Sequence, residues 1–287
     1  MKHLYTIIFS LGLIAFTAFV LCDTFLLSTS YEVIEEKEEP SINDSTEIIQ
    51  EKDYYKDNHI EIKLTTSRKF NTDIYIADVK IKDIKYLKTA FAKNTFGKNI
   101  TDYTSTIAKN HEAILAINGD FYGVQEKGFV LKNGIIYRES VKKNKEDLII
   151  KKEGSFDFIK EDETNLKNIE AKELLSFGPV LIKEGEIKVN KNSTVQKELK
   201  SNPRTAIAMY EPLHYVFMVS DGRTSESEGL SLYEMAEVLK ELGVKMAYNL
   251  DGGGSSSLYF NGEIINKPMN KGKLGERKVS DIVYIGY

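Results

Sequence analysis

The sequence predicts an α+β fold: a mixed, largely antiparallel β core with a few flanking helices, forming a single domain after an N-terminal membrane anchor. Three observations carry this. Apolar residues alternate with period two in Ile60-Glu61-Ile62-Lys63-Leu64 and in Ile74-Tyr75-Ile76-Ala77-Asp78-Val79, the signature of strands with one buried face. Later apolar runs are separated by Asn133-Gly134, Glu153-Gly154, Glu184-Gly185 and Asn261-Gly262, pairs suited to tight hairpin turns. Only residues 231–243 carry a strong helix signature, so helices flank the core rather than build it. At 287 residues, 41% hydrophobic and 29% charged, the chain can bury such a core unaided.

Residues 4–27 are almost wholly apolar, broken by small polar residues and Asp23. The apolar part before Asp23 approaches the roughly 20 residues that cross a bilayer. Lys2 precedes it, and Glu32, Glu35, Glu36, Glu38 and Glu39 follow. The positive-inside rule then puts the N-terminus in the cytoplasm and the domain outside, as a single-pass protein of the cell membrane. A small-x-small cleavage site directly after the run is hard to find, which favours an uncleaved signal-anchor (residues 1–27) over a cleaved leader and a secreted form. Cys22 is the sole cysteine, excludes an intramolecular disulfide and is read as incidental. Residues 28–58, acidic and polar with Pro40, suit a flexible stalk, leaving 59–287 as the folded domain.

Within that domain, residues 101–111 suit a short helix leading into the apolar strand 113–117, which turns at Asn118-Gly119-Asp120. Residues 128–187 read as a β-meander with one interruption, a short helix at 169–175, before Ser176-Phe177-Gly178-Pro179 opens another strand. The charged run 142–152 reads as solvated hairpin edges. Residues 204–210 and 214–220 form a strand pair joined through Glu211-Pro212 and ending at Asp221-Gly222-Arg223. Ser231-Leu232-Tyr233-Glu234 is a capping box, Leu232, Met235, Ala236, Leu239 and Leu242 supply one apolar helix face, and Gly243 supplies the stop. Strands follow at 244–250, 257–260 and 279–287.

With 39 Lys+Arg against 43 Asp+Glu and a net charge of −4, the chain has no general affinity for polyanions, and no nucleic acid partner is expected. Chemistry is sought at the polar ends of apolar strands, where rigid backbone meets exposed loop. Four such ends stand out: Asn118-Gly119-Asp120, Asn202-Pro203-Arg204-Thr205, Ser220-Asp221-Gly222-Arg223, and the run from Asn249 through Asp251, Gly252, Gly253, Gly254 and Ser255. Three glycines allow positive φ, and their N–H groups either cradle an anion or simply form a tight turn. The run lacks the Gly-Lys-Ser/Thr ending of a phosphate-binding P-loop. Asp251 and Asp120 are either a catalytic carboxylate pair or local turn caps, and Asp221 is the most turn-like of the three. Arg204 and Arg223 offer planar forks for a phosphate, or structural ion pairs. His111 and His214 read as structural. No HExxH pattern, Cys/His cluster or GxSxG elbow is present. No cofactor is predicted, although the carboxylates leave room for a hard divalent cation.

Taken in order, Ala116-Ile117-Asn118-Gly119-Asp120-Phe121-Tyr122, Ser176-Phe177-Gly178-Pro179, Asn202-Pro203-Arg204-Thr205-Ala206, Ser220-Asp221-Gly222-Arg223, the run from Asn249 to Ser256, and Glu276-Arg277-Lys278-Val279-Ser280 resemble the phosphodiester glycosidase family over roughly residues 60–287. The resemblance implies hydrolysis of a sugar joined through its anomeric carbon to a phosphodiester, in an envelope or exopolysaccharide glycan, with a glycan or sugar phosphate as the partner. It implies catalytic roles for Asp251, Asp120 and Asn118, and substrate-binding roles for Arg204, Thr205, Asp221, Gly222, Arg223, Gly252, Gly253, Gly254 and Ser255. On that reading Arg204, Arg223 and the N–H groups of residues 252–254 hold the phosphate, Asp251 stabilises the anomeric centre or activates water, and Asn118 and Asp120 grip sugar hydroxyls or add a second carboxylate. A non-catalytic glycan-binding or envelope-assembly protein, and a glycosidase acting on a polysaccharide without phosphate, are the other readings.

Overall fold

A computed structural model describes residues 2–21, 31–33, 48–191 and 199–287. Cys22, Asp23 and residues 34–47 of the expected stalk lie outside the described residues, while Ile49–Gln50 and Tyr54–Lys56, expected as stalk, pair into the larger of the two core sheets instead. The N-terminal helix Lys2–Leu21 exposes its large apolar side chains between Leu4 and Val20. Among the described residues no helix is long and apolar enough to cross a membrane.

Two antiparallel sheets make the core. The larger has nine strands in the order Glu186–Ile187, Val180–Lys183, Met246–Asn249, Arg204–Glu211, His214–Ser220, Thr72–Ile81, Ile60–Lys69, Tyr54–Lys56, Ile49–Gln50. The second has five: Glu263–Ile264, Leu258–Phe260, Leu115–Asn118, Asp281–Ile285, Leu87–Phe91. The period-two pattern explains why they stack. Ile60, Ile62, Ala77, Val79, Ile207 and Phe217 of the large sheet share one buried cluster with Leu115, Ile117, Phe260 and Val283 of the small one. Each large apolar side chain so buried contributes about 1.5–3 kcal/mol.

The opposite face of the large sheet carries Ala206, Ala208, Val216 and Met218, covered by helix Leu232–Leu242 through Leu232, Met235, Ala236 and Leu239. That helix starts where the capping box predicts: Ser231 Oγ accepts from the Glu234 N–H at 3.2 Å, and Glu234 Oε2 accepts from the Ser231 N–H at 2.8 Å. It stops at Gly243, whose φ of 83° is the left-handed cap. The short helix Thr104–Asn110 covers the outer face of the small sheet through Ile107 and Ala108.

Two further expectations are corrected. Residues 169–175 do not form a helix: a single 3-10 turn, Leu166–Asn168, precedes a strand, Ala171–Leu175. Its residues favour a helix locally, but pairing with Glu146–Lys151 (Leu148 opposite Leu175, Ile149 opposite Leu174) buries Leu174 and Leu175, and tertiary pairing outweighs propensity. For the same reason the run 142–152 is not only solvated edge. Glu146–Lys151 is the central strand of a three-stranded sheet with Asp147, Leu148, Ile149 and Ile150 buried, while Lys142, Lys143 and Lys152 are exposed.

The register of the core brings several strand ends to one place. Ala206 pairs with Asn249, Arg204 with Ser220, and Leu258 with Ile117. The loops after Asn118, before Arg204, after Ser220 and after Asn249 therefore emerge together. The Leu250 N–H bonds to Thr205 O at 2.9 Å, the Gly253 N–H to Pro203 O at 2.8 Å, and the Asp251 N–H to Gly119 O at 3.3 Å.

Candidate active site

Asp251 is held from below before its side chain does anything. Asn118 Nδ2 donates to the Asp251 carbonyl at 2.6 Å, while Asn118 Oδ1 accepts from Thr205 Oγ1 at 2.8 Å and from the Ser257 N–H at 3.3 Å. Asn118 and Thr205 are fully buried, so these bonds form in a dry, weakly screening environment that rigidifies the turn above them. Asp251 retains 8% exposure. Its Oδ1 accepts from the Gly252 N–H at 2.9 Å and its Oδ2 from Arg277 Nη2 at 2.5 Å.

Arg277 is fixed at several points. Nε donates to Ser255 Oγ at 2.7 Å, Nη2 also reaches Gly252 O at 3.3 Å, and the guanidinium carbon lies 5.7 Å from the centre of the Phe121 ring. A second guanidinium stands on the next glycine. A side chain at Gly253 would begin 2.5 Å from Arg223 Nη2, and one at Gly254 would begin 3.4 Å from Arg277 Cβ. Glycine is favoured at 253 by its φ of +65°, and its bare Cα lets the Arg223 guanidinium lie against the turn. Arg223 is steadied by Asn202 Oδ1, 3.3 Å from Nε and 3.2 Å from Nη2. Phe121 (φ 67°) and Arg223 (φ 66°) are both left-handed without being glycine, strain of about 1–2 kcal/mol each that the packed surroundings hold in place.

The other predicted residues have different surroundings. Asp120 does not share the opening with Asp251. It is fully buried, its Oδ2 accepting from Lys132 Nζ at 3.2 Å and the Ser176 N–H at 2.9 Å, its Oδ1 from the Tyr122 N–H at 3.2 Å. Lys132 also donates to Asp281 Oδ2 at 2.8 Å, and Asp281 Oδ1 accepts from the Asp120 N–H at 3.1 Å. Burial alone would lower the Lys132 pKa, but the Asp120 and Asp281 charges outweigh it and hold it above the ordinary lysine value. Burial, with the Asp120 charge behind it, pushes Asp281 up to about 6 against the pull of Lys132. Gly119 is needed for this triad: a side chain there would begin 2.3 Å from Asp281 Oδ1.

Asp221 is also engaged in structure. Oδ1 accepts from the Lys267 N–H at 2.8 Å and Asn266 Nδ2 at 3.2 Å, and Oδ2 from the Tyr75 hydroxyl at 3.0 Å. Gly222 lets two loops touch, since a side chain would begin 2.7 Å from Pro203 N. Arg204 turns its fork to carbonyls, Nε to Leu230 O and Nη2 to Lys200 O, both at 2.8 Å. The amides of Gly252 and Gly253 do not converge on an anion either, being bonded to Asp251 and Pro203.

The structure thus gathers Asp251, residues 252–255 and Arg223 at one opening, with Asn118 and Thr205 as its floor. It adds Arg277, Phe121 and Asn202. Arg277 was legible only as one residue of the 276–280 motif, because nothing local distinguishes it from any other loop arginine. Among the described residues no group of three or more His, Cys, Asp or Glu side chains could hold a metal ion.

Comparison with known proteins bears on the family and the fold. The family model described as phosphodiester glycosidase matches residues 111–286. An N-acetylglucosamine-1-phosphodiester alpha-N-acetylglucosaminidase of Mus musculus is 34% identical over 108 residues, 33% of this chain and 21% of that protein. The SPbeta prophage-derived uncharacterized protein YomE of Bacillus subtilis (strain 168) is 26% identical over 190 residues, 63% of this chain and 29% of that protein. The chain therefore covers well under half the length of either. The zebrafish N-acetylglucosamine-1-phosphodiester alpha-N-acetylglucosaminidase catalytic domain, solved as auto-inhibited by its pro-peptide, shares the fold at a TM-score of 0.64 and 20% identity, covering 91% of this chain and 88% of that one.

Proposed function

Because the chain belongs to the phosphodiester glycosidase family, we propose that it hydrolyses the bond between a sugar's anomeric carbon and the oxygen of a phosphodiester. The observation that carries this reading is the turn at 251–255, where one carboxylate and two guanidiniums meet over consecutive glycines. A phosphate leaving group is weakly basic, so it needs anion stabilisation more than protonation. Arg223 and Arg277 supply it as planar forks that pair with phosphate oxygens. Asp251, which accepts hydrogen bonds on both oxygens, suits the complementary tasks of facing the positive anomeric centre or taking a proton from water. The anomeric C–O bond breaks with its electron pair going to the phosphate, and the water oxygen joins the anomeric carbon. The proton passes to Asp251 and then to solvent. Asn118, Thr205 and Ser255 keep the two charges in register.

The test is the full chain against its Asp251→Asn variant on a methyl hexose-1-phosphodiester, following free sugar and methyl phosphate. The wild type should release both products in equal amount, and the variant should lose about 1,000-fold or more in kcat with its unfolding midpoint little changed. Retained activity in the variant would overturn the assignment. Glycan binding without turnover by the wild type would favour a non-catalytic role.

The N-terminal segment is proposed to anchor the domain outside the cytoplasm, where it would meet an envelope or exopolysaccharide glycan. Support comes from the apolar run with Lys2 before it and acidic residues after it, and from the bare apolar side chains of helix Lys2–Leu21. Full-length chain should stay with membranes through an alkaline carbonate wash, and release into the wash would sink this placement.

A further inference from the structure

Beside the glycine turn, the hairpin of Met269–Asn270 and Lys273–Leu274 faces Tyr103 across an open groove of about 540 Å³, in the range of about 300–1,000 Å³ usual for small-molecule sites. The groove adjoins the reacting end of the molecule. Asn270 Oδ1 stands 3.1 Å from where a side chain at Gly254 would begin, and the Arg277 N–H donates to Gly254 O at 3.0 Å.

Its lining charge is mostly positive, Lys271 and Lys273 against the single carboxylate of Glu276. The Glu276 carboxylate is engaged by the Ser105 N–H at 3.0 Å and Ser105 Oγ at 2.5 Å, and Asp102 Oδ1 by the Tyr103 N–H at 2.9 Å. Lys271 and Lys273 make no ion pair among the described residues, and Lys278 Nζ lies 5.3 Å from the centre of the Tyr103 ring. Two apolar surfaces lie bare, Tyr103 at 41% and Leu274 at 71% exposure. An exposed aromatic face stacks against a sugar ring, and unpaired lysines at the rim attract anions.

We propose that this groove binds the leaving-group arm of the substrate, and that the arm is an anionic glycan: sugar rings carrying further phosphate or carboxylate groups. The inference rests on the proposed reaction at Asp251. A phosphodiester has two arms, and with the first sugar at Asp251 and the phosphate between Arg223 and Arg277, the second arm continues past Gly254 into the groove.

The experiment uses the full chain and a Lys271→Ala/Lys273→Ala double variant, both changes falling on an exposed hairpin. The substrates are the methyl hexose-1-phosphodiester and a synthetic tetramer of hexoses joined by phosphodiesters. Wild type should show a kcat/KM at least about tenfold higher on the tetramer at low salt, with the advantage shrinking as salt rises. The double variant should lose that advantage and keep its rate on the methyl substrate. Equal kcat/KM on both substrates for wild type, or equal losses on both for the variant, would overturn the proposal. If neither substrate is cleaved, the reaction fails but the groove is still tested by calorimetric binding of the charged tetramer against an uncharged hexose tetramer. Preference for the charged one, lost in the double variant, sustains the groove, and equal affinity sinks it.

Discussion

Asp120 and Asp251 look alike in the sequence and behave as opposites in the fold. Each ends an apolar strand, lies two residues after an asparagine and has glycine beside it. Asp251 keeps some contact with solvent and is paired with Arg277, a side chain that is itself half-exposed. Asp120 is sealed with Lys132 and Asp281, neither of which reaches solvent. The difference lies in what arrives from elsewhere in the chain. A loop residue, Arg277, reaches Asp251 from the side and leaves it a narrow contact with solvent. A strand residue, Lys132, comes up beneath Asp120 and leaves none. A strand end marked by Asp and Gly is therefore a place where a carboxylate can be held, and its partner decides whether it meets a substrate.

Removing the partner of the sealed carboxylate should have the largest effect. Lys132→Met leaves two buried acids without their cation, and an unfolding free energy lower by about 3–5 kcal/mol is expected from denaturant titration. Activity per folded molecule should survive. Selective loss of turnover with unchanged stability would mean that Asp120 takes part in the reaction after all.

The matching change at the open site is smaller and of another kind. Arg277→Lys keeps the charge, but an ammonium cannot bond to Asp251, Ser255 and Gly252 together, so kcat/KM should fall about 10- to 100-fold with little change in stability. An unaffected rate would demote Arg277 to a bystander.

The smallest effect concerns a third buried acid, Asp147, whose carboxylate oxygens make no well-formed hydrogen bond although Ser176, Lys145 and Glu161 lie close to it. Burial, then the neighbouring Glu161, pushes it up to about 8, and burial likewise lifts Glu173 to about 7. Acids whose folded pKa lies above the unfolded value favour the fold most when protonated. Their contribution is complete below about pH 4 and is lost as pH rises through the folded values of about 6 to 8 for Asp281, Glu173 and Asp147. Asp147→Asn should raise the melting temperature by a few degrees at pH 8, by less at pH 5, and hardly at all below about pH 4. A drop at pH 8 would show that the charge is stabilised by a partner.

The strands, hairpin turns and capped helix were legible because each is written locally, in alternation, in Asn-Gly pairs and in Ser231 with Glu234. Residues 169–175 were not, since what makes them a strand is a partner some twenty residues earlier. The site divides in the same way. Asp251, its glycines and Arg223 carry their own signals, and so did Asp120, Asp221 and Arg204, whose side chains the fold turns to other partners. Lys132 carries none, and Arg277 only its place in the 276–280 motif, because their importance comes from the atoms they meet across the fold.

The staple under the site also sets a timetable. Asn118 bonds to the carbonyl of a residue 133 positions later, and its strand sits beside Asp281–Ile285, made after every strand it packs among. The pocket floor therefore closes only when residues 115–118 have met 246–251 and 281–285, segments more than a hundred residues further along the chain.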